Sequence, residues 1–415
     1  MPESASQRNI TEKYGKSLQT GSENLIIRGI TEASPASEQI SIGLIMKKIT
    51  VIFFLWLVAT LAQGEENKPP VRLAIIGLAH DAVGDFIQRA EGRPDVRLVG
   101  IVEPDQELRA RYTRLFNFNT NFFSASLDEL LAKTNAQAAV VFTSTFNHGH
   151  VVEMCAAHGM DVMLEKPLAV NMEQARAIAA AAKTGGIQVI VDYETAWYPA
   201  NQTAYTIVHN QHMIGDLRKI VVCAGNKGPK ETGCSDAFLD WLTDPKLNGG
   251  GALIDFGCYG ASTITWFMDG QRPTSVLAVT QQIKPDVYPK VEDEATIILT
   301  YPQAQGIIQA SWNWPFDRRD LDVYGRTGYV LEPQMDLLRM RQAGTEESEL
   351  DLPTPPTPSS SSDDISYFAA VVRGEIQPSG MPALETNLIV TEILDAARES
   401  AQTRKQVEFP KDRPW

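Results

Sequence analysis

The chain has 415 residues, of which 43% are hydrophobic and 21% charged, so its length and composition fit a globular protein with two domains. Its formal net charge of −14 argues against a nucleic-acid partner, because binding to phosphates requires a basic surface. The cysteines show neither CxxC spacing nor a repeat, which argues against a metal site and a disulfide scaffold but leaves a single bridge open. They are Cys155, Cys223, Cys234 and Cys258.

The segment 46–64, MKKITVIFFLWLVATLAQG, has the order of a secretory signal peptide. Two lysines precede an apolar run, small residues follow it, and cleavage is expected after Gly64. The apolar run is too short for a stable membrane span. Residues 1–45 are polar and precede a complete signal, so we expect a non-native or disordered extension, with Met46 as the true start. The sequence therefore predicts a periplasmic or secreted protein.

The mature part opens with a βαβ pattern. A buried strand, Val71 to Ile76, breaks at Gly77, and a second strand, Val96 to Val102, ends on Glu103. In such a unit the acid after the second strand accepts hydrogen bonds from the ribose of a dinucleotide. Glu103, with Asp105 nearby, should repel a 2′-phosphate, so the pattern favours NAD and leaves NADP possible.

The glycine fingerprint of this loop is altered. Gly77 holds the first position, but Ala79 and Ala82 stand at the second and third, so the motif alone is weak evidence for a nucleotide site. His80 and Asp81 lie in the same loop, where they either face a ligand or form a solvated pair. We expect the solvated pair.

The next unit contains a buried strand, Ala138 to Thr143, a helix, and a strand from Asp161 to Leu164 that ends in Glu165-Lys166-Pro167. Ligands of open parallel sheets bind at this carboxyl edge. Lys166 is held extended by the following proline. It either points into a cleft or is an ordinary surface lysine.

The stretch GGGALIDFGCYGAST, 249–263, predicts a half-buried helix that carries an acid and a phenol. Asp255 and Tyr259 are four residues apart and therefore share one helix face. They form either a chemical pair or a buried aspartate beside a core tyrosine.

Together these motifs resemble the Gfo/Idh/MocA oxidoreductases, over Val71 to the C-terminus. The matching motifs are Glu165-Lys166-Pro167, Asn147-x-x-His150, and the three glycines that precede Asp255. The resemblance implies an α/β protein with an N-terminal Rossmann NAD(P)-binding domain over 71–192. It implies a C-terminal α+β domain over 193–410, with an open, mostly antiparallel sheet, and assembly into homodimers or homotetramers.

Many family members place a catalytic histidine where this chain has Tyr259, and the chain is similar to the glucose–fructose oxidoreductase and dihydrodiol dehydrogenase branch, which uses tyrosine there. The resemblance implies that Tyr259 exchanges a proton with the substrate hydroxyl and that Lys166 lowers the pKa of Tyr259. Asp255 would bind a sugar hydroxyl or orient Lys166. The implied cofactor site comprises Gly77, Ala79, His80, Glu103, Thr143, Asn147, His150, Glu165, Lys166 and Pro167.

Strand-like runs recur in the second half and suit a meandering sheet. They are RKIVVCAG, TSVLAVTQQI, DEATIILTYP, GIIQASWNWP and LDVYGRTGYVL. The loop before the glycines offers Lys227, Lys230, Trp241 and Asn248 as substrate contacts, although solvation explains the lysines equally well. Lys166, Lys230, Trp241, Asp255 and Tyr259 form the expected substrate site.

Trp312 and Trp314 are expected in the core or at a subunit contact. Residues 351–364 read as a mobile Pro/Ser-rich loop, and the runs ISYFAAVVRGE and ETNLIVTEILDAARESAQT read as helices.

Three functions fit these features. The first is a secreted NAD(P)-dependent oxidoreductase that acts on a sugar or polyol-like hydroxyl. The second is a redox-assisted glycosidase with tightly retained NAD, since an exported enzyme has no nicotinamide pool. The third is a non-catalytic sugar-binding or sensing protein, a hypothesis supported by the altered glycine fingerprint.

Overall fold

The computed structural model describes residues 68–352 and 359–409. The predicted signal peptide, the extension before it and residues 353–358 of the Pro/Ser-rich loop lie outside these ranges. In the described ranges, no helix is both long and apolar enough to cross a membrane.

The strands are Val71–Ile76 (β1), Val96–Val102 (β2), Phe123–Ser124 (β3), Ala138–Val141 (β4), Asp161–Glu165 (β5), Val189–Asp192 (β6), Leu217–Gly225 (β7), Ser275–Gln281 (β8), Glu294–Thr300 (β9), Gln305–Ser311 (β10), Arg318–Gly325 (β11), Gly328–Gln334 (β12), Leu337–Gln342 (β13), Ser348–Asp351 (β14) and Val407–Glu408 (β15). The α-helices are Ala82–Ala90 (α1), Gln106–Phe116 (α2), Leu127–Leu131 (α3), His148–Ala157 (α4), Met172–Gly185 (α5), Pro199–Tyr205 (α6), Pro229–Thr232 (α7), Asp236–Leu242 (α8), Ala252–Asp255 (α9), Gly257–Phe267 (α10), Asp364–Val372 (α11) and Leu384–Thr403 (α12). Short 3₁₀ turns cover Thr120–Phe122, Thr145–Asn147 and Glu194–Trp197, and a π-helical turn covers Thr206–Asn210.

The first half folds into a six-stranded parallel sheet in the order β3-β2-β1-β4-β5-β6. Its central strands β1 and β4 are apolar and buried except at the half-buried Arg72 of β1, as expected for parallel strands that are covered by helices on both faces. The strand order reverses between β1 and β4, where doubly wound sheets bind their ligands. The predicted Rossmann-type sheet is confirmed.

The second half contains a nine-stranded sheet in the order β14-β13-β12-β11-β7-β10-β9-β8-β15. Only the β7–β10 pair is parallel, so the predicted open, mostly antiparallel sheet is confirmed. The expected meander is confirmed for β8, β9 and β10, which pair in chain order. It is wrong between β10 and β11, because β7 lies between them and pairs with both. The run LDVYGRTGYVL forms two strands, β11 and β12, that pair with each other.

The helix predicted over 249–263 is interrupted. The short α9 ends at Asp255, and α10 begins at Gly257, with Phe256 between them. Asp255 and Tyr259 therefore lie on consecutive helices rather than on one continuous face. The predicted C-terminal helices are present as α11 and α12, and all four cysteines are free thiols, so no disulfide joins them.

Candidate active site

Lys166 and Asp255 form a buried ion pair where the two domains meet. Lys166 follows β5 at the carboxyl edge of the parallel sheet, and its Nζ donates to Asp255 Oδ1 at 2.6 Å and to the Asp255 carbonyl at 3.1 Å. The indole Nε1 of buried Trp312 donates to the other carboxylate oxygen at 2.9 Å. Burial opposes the charge of Lys166, but the adjacent Asp255 carboxylate outweighs it and raises the pKa of the lysine. The pair is fixed and charged.

Tyr259 lies beside this pair but does not hydrogen-bond to it. Lys166 Nζ lies over the phenol ring, 5.0 Å from its centroid, and the ring of Tyr193 packs edge-on against Tyr259 at 5.7 Å. Within the described part of the chain, the Tyr259 hydroxyl has no hydrogen-bond partner. Burial raises the pKa of Tyr259 well above its usual value, and the neighbouring carboxylate of Glu194 raises it further. In the free protein the net shift is therefore upward, and the expected lowering of this pKa by Lys166 stays a prediction.

Sequence reasoning missed Arg319 and Glu194. Arg319, near the start of β11, places its guanidinium carbon 4.9 Å from the Tyr259 ring centroid and 4.6 Å from that of Phe256. Its Nε donates to Glu194 Oε1 at 3.1 Å. Arg319 is the cation that opposes the rise in the Tyr259 pKa. No local motif marks these residues, because they meet only when β11 lies beside the turn that follows β6.

Glu165 and His80 join the Lys166 cluster to the loop after β1. His80 Nε2 lies 3.8 Å from Glu165 Oε2, and Glu165 accepts the backbone N–H of Lys166 at 2.8 Å. Burial raises the pKa of Glu165 to about 7, although the charge of Lys166 opposes this shift. Burial also lowers the pKa of His80 well below its usual value, and Lys166 adds to that effect. His80 is therefore neutral at pH 7.

The loop after β1 has the features of a dinucleotide cradle. Gly77 has φ +87°, and a Cβ there would lie 2.5 Å from Thr143 Cγ2, so the close approach of β1 and β4 requires glycine. Among the described residues, the backbone N–H groups of Ala79 and Asp81 have no acceptor at the start of α1. Free N–H groups at a helix N-terminus fit a pyrophosphate, and alanine at 79 leaves room for it.

Glu103 stands at the expected place after β2, but its carboxylate already accepts two backbone bonds. The N–H of Leu78 donates to Oε2 at 2.8 Å and that of Asp105 to Oε1 at 2.8 Å. Burial raises the pKa of Glu103. The residue therefore holds the cradle loop, while Asp105 caps α2 by accepting from Glu107 and Leu108.

The expected solvated pair His80–Asp81 is wrong. His80 is buried, with its ring 4.5 Å from that of Phe238 and 5.6 Å from that of Trp241. The carboxylate of Asp81 accepts from Ser235 N at 2.7 Å and Ser235 Oγ at 2.6 Å. The second domain packs directly on the cradle loop, and this contact buries the histidine.

The residues expected to contact substrate from the loop before the glycines are dispersed. Trp241 is buried and donates to the carbonyl of Ala79 at 3.2 Å, so it supports the cradle. Asn248 is wholly buried, where it accepts from Thr145 and donates to the carbonyl of Gly250, which excludes the expected substrate contact. Lys227 and Lys230 are exposed.

The predicted Asn147-x-x-His150 pair does not contact the cluster around Lys166. Both side chains are exposed, whereas His148 is buried, with Nδ1 3.2 Å from the carbonyl of Leu168. Burial lowers the pKa of His148 to about 4. His148 is thus the histidine that packs behind the Glu-Lys-Pro loop. Its burial was predictable from the periodicity of α4, which buries Val151 and Cys155 on the same side.

The three glycines permit the close approach that positions Asp255. A Cβ on Gly251 would lie 1.9 Å from the Glu292 carbonyl oxygen. The carboxylate of Glu292 accepts the N–H groups of Gly251 and Leu253 at 2.8 and 3.1 Å. This contact anchors the first turn of α9.

Comparisons with known proteins agree with this geometry. Residues 71–193 match the model of an oxidoreductase family with an NAD-binding Rossmann fold. Residues 202–331 match the model of the GFO/IDH/MocA C-terminal domain.

Among sequence relatives, trans-1,2-dihydrobenzene-1,2-diol dehydrogenase of Sus scrofa is 29% identical over 187 residues, which are 45% of this chain and 51% of that protein. The chain thus spans about half the length of the first such relatives. The Bos taurus enzyme of the same name is 26% identical over 298 residues, 69% of this chain and 83% of that protein.

Two solved structures show the same fold. An aldose-aldose oxidoreductase from Caulobacter crescentus, complexed with glycerol, has a TM-score of 0.70 at 22% identity over 82% of this chain and 100% of its own. An inositol dehydrogenase homolog from Azotobacter vinelandii, complexed with NAD⁺, has a TM-score of 0.71 at 18% identity over 82% of this chain and 97% of its own. Matches to both domain models and the two-sheet architecture lead to one conclusion: the chain belongs to the Gfo/Idh/MocA family of NAD-binding oxidoreductases.

Proposed function

We propose that this protein is an NAD(P)-dependent oxidoreductase that acts on a hydroxyl group of a sugar or polyol, with Tyr259 as its acid and base and Lys166 as its assistant. The observation that carries the proposal is the unpartnered Tyr259 hydroxyl beside the Lys166–Asp255 pair. This cluster adjoins the dinucleotide cradle, since His80 of the cradle loop lies 3.8 Å from Glu165. The names of the relatives, which refer to a diol, an aldose and inositol, support a polyhydroxylated substrate.

The cofactor fits the cradle described above, where Gly77, Ala79 and Asp81 would hold its pyrophosphate. When bound, NAD supplies the acceptor or donor of a hydride. The protein's own task is then to manage the proton on the substrate oxygen. Tyr259 accepts that proton during oxidation of an alcohol and donates it during reduction of a carbonyl group.

Asp255 and Trp312 keep the Lys166 ammonium charged and in place. Its positive charge lies over the Tyr259 ring and favours the phenolate that forms when the hydroxyl transfers its proton. In the free protein the pKa of Tyr259 is raised, so the phenol is protonated at neutral pH and ready to act as an acid. Reduction of a carbonyl substrate should therefore be favoured at neutral pH, and oxidation should accelerate as the pH rises.

The test compares Tyr259→Phe with the native protein. The variant should lose at least ~10²-fold in turnover with a panel of polyols, the usual contribution of a general acid–base group, while its affinity for NAD stays unchanged. Tyr193→Phe is the matched control, because it removes a neighbouring buried hydroxyl that bonds to Asn387. Normal turnover by Tyr259→Phe would refute the assignment.

Two further parts of the proposal concern location and assembly. We propose export to the periplasm or cell exterior, on the strength of the segment 46–64, and test it by fractionating cells that express the chain with and without that segment. We also propose a homo-oligomer joined through the open face of the nine-stranded sheet, where Leu277 and Val279 are exposed. Light scattering on native protein and Val279→Glu checks it, since only the native protein should assemble.

Bound nucleotide separates an ordinary dehydrogenase from an enzyme that retains NAD. Residues 65–415, purified without added nucleotide and then denatured, should release little NAD, and added NAD should be reduced in amounts that exceed the enzyme. Stoichiometric NAD that never exchanges would oppose the proposed net oxidation.

A further inference from the structure

Two ion pairs, Lys166–Asp255 and Glu194–Arg319, flank Tyr259. They differ in how many of their hydrogen-bonding groups have partners within the protein. The Lys166–Asp255 pair is satisfied within the protein, because Asp255 accepts from Lys166 on one oxygen and from Trp312 on the other. The Glu194–Arg319 pair is more exposed to solvent and is not fully hydrogen-bonded within the described residues. Its residues come from distant parts of the chain, Glu194 from the turn after β6 and Arg319 from β11.

Arg319 is fixed on one side and free on the other. Its Nε donates to Glu194, and its Nη1 donates to the carbonyl of Arg318 at 2.8 Å. Across the described ranges, its Nη2 has no hydrogen-bond acceptor. The side chain is 19% exposed, so its position is set by packing against the Tyr259 and Phe256 rings, while one edge of the guanidinium still reaches solvent.

Glu194 presents the complementary acceptor. Its side chain is 52% exposed, although it is ion-paired, and it is the nearby charge that most strongly disfavours ionisation of Tyr259. A carboxylate accepts hydrogen bonds from hydroxyl groups, and a guanidinium donates to hydroxyl oxygens. Glu194 Oε1 lies 3.1 Å from Arg319 Nε, so the half-exposed carboxylate adjoins the guanidinium whose Nη2 is unbonded. This acceptor and this donor match two hydroxyl groups on adjacent carbons.

We propose that Glu194 and Arg319 hold the substrate beside Tyr259, with Glu194 accepting from one hydroxyl and Arg319 Nη2 donating to the oxygen of its neighbour, so that the site selects vicinal diols over single alcohols. This assignment rests on the proposed function and adds the substrate feature that the site recognises. The sequence suggested Lys166 and Asp255 as substrate contacts. Under this proposal they instead stabilise the Tyr259 phenolate and do not bind the other hydroxyl groups of the substrate.

The experiment compares two probes that differ by one hydroxyl group, trans-cyclohexane-1,2-diol and cyclohexanol. Binding is measured by calorimetry with the NAD-loaded Tyr259→Phe variant, so that it does not require turnover. The variants Glu194→Gln and Arg319→Met, made in that background, should each weaken diol binding at least tenfold and leave cyclohexanol binding unchanged. Arg319→Lys should retain part of the diol affinity, because a lysine keeps one donor but not the planar fork.

Arg318→Met is the matched control. It lies next in the chain, points to the other face of β11, and pairs with Asp320, so it should leave both affinities unchanged. Equal losses for the two probes, or no loss for either, would overturn the proposal. Because the readout is binding, it remains decisive even if no alcohol is turned over, which would instead count against the proposed function.

A second readout distinguishes direct contact from a structural effect. NMR titration of ¹³C-labelled tyrosine in the catalytically intact background follows the ionisation of Tyr259. Glu194→Gln should lower the pKa of Tyr259, and Arg319→Met should raise it. Shifts in the same direction, or none, would show that the pair does not face the phenol and would reject the assignment.

Discussion

Lys166 Nζ lies 2.6 Å from Asp255 Oδ1. This contact joins Lys166, which precedes the cis Pro167 in the Rossmann domain, to Asp255 at the end of α9 in the second domain. Both side chains are buried, so each charge depends on the other. We therefore expect the contact to serve both stability and the proposed catalysis, and the two contributions can be separated.

Lys166→Met should destabilise the protein by about 3–5 kcal/mol, the usual result of leaving one charge of a buried pair uncompensated. Replacing the partner as well, in Lys166→Met with Asp255→Asn, should restore most of this free energy but none of the turnover. Urea denaturation of the two single variants and the double variant measures the coupling. Additive losses would mean that the pair contributes nothing as a pair.

Trp312→Phe should remove the donor to Asp255 Oδ2 and cost about 1.5–3 kcal/mol, as expected for a buried hydrogen bond to a charged group. The freed carboxylate should also hold Lys166 less firmly, so turnover should fall while NAD affinity stays constant. Trp314→Phe is the control, because Trp314 stacks on Arg318 away from the ion pair. If both variants behave alike, the indole bond is irrelevant.

Gly77→Ala should weaken NAD binding at least about tenfold, about 1.4 kcal/mol of binding free energy. The added methyl group would sit 2.5 Å from Thr143 Cγ2, in a backbone conformation with positive φ. Gly92→Ala is the control, since Gly92 also has positive φ but nothing within 4 Å of its Cβ position. Fluorescence titration with NADH makes the comparison. Equal affinities in the two variants would show that the approach of β1 to β4 does not shape the cradle.

Glu165→Gln should change how stability depends on pH. The folded protein keeps the Glu165 proton up to a pKa of about 7, against an ordinary 4.5, so folding takes up a proton between these values. The contribution of Glu165 is therefore present below pH 4.5 and is lost as the pH rises through 7, by up to about 3 kcal/mol.

Glutamine cannot ionise, so Glu165→Gln should lose this decline and gain stability relative to the native protein as the pH rises from 5 to 8. Thermal melts across this range measure it, with the exposed Glu91→Gln as control. A constant difference between Glu165→Gln and the native protein across the range would contradict the assigned pKa.

The sequence predicted those features that local patterns encode. The apolar strands of the parallel sheet, Lys166 at its edge and Gly77 at the tight turn follow from residues that lie within a few positions of each other. Trp312 was predicted only as a core or subunit-contact residue, because its bond to Asp255 links residues 57 apart in the chain. Arg319 and Glu194 were not predicted at all, since their pairing depends on β7 inserting between β10 and β11, an arrangement that no turn motif signals.

The contacts of Trp241 with Ala79 and of Ser235 with Asp81 have a thermodynamic consequence. They tie the loop that cradles the dinucleotide to α8 of the substrate domain. Any molecule that shifts α8 must also change the free energy of dinucleotide binding, and the dinucleotide must change that molecule's affinity by the same factor. The affinities for cofactor and substrate are thereby coupled through three hydrogen bonds between the cradle loop and α8.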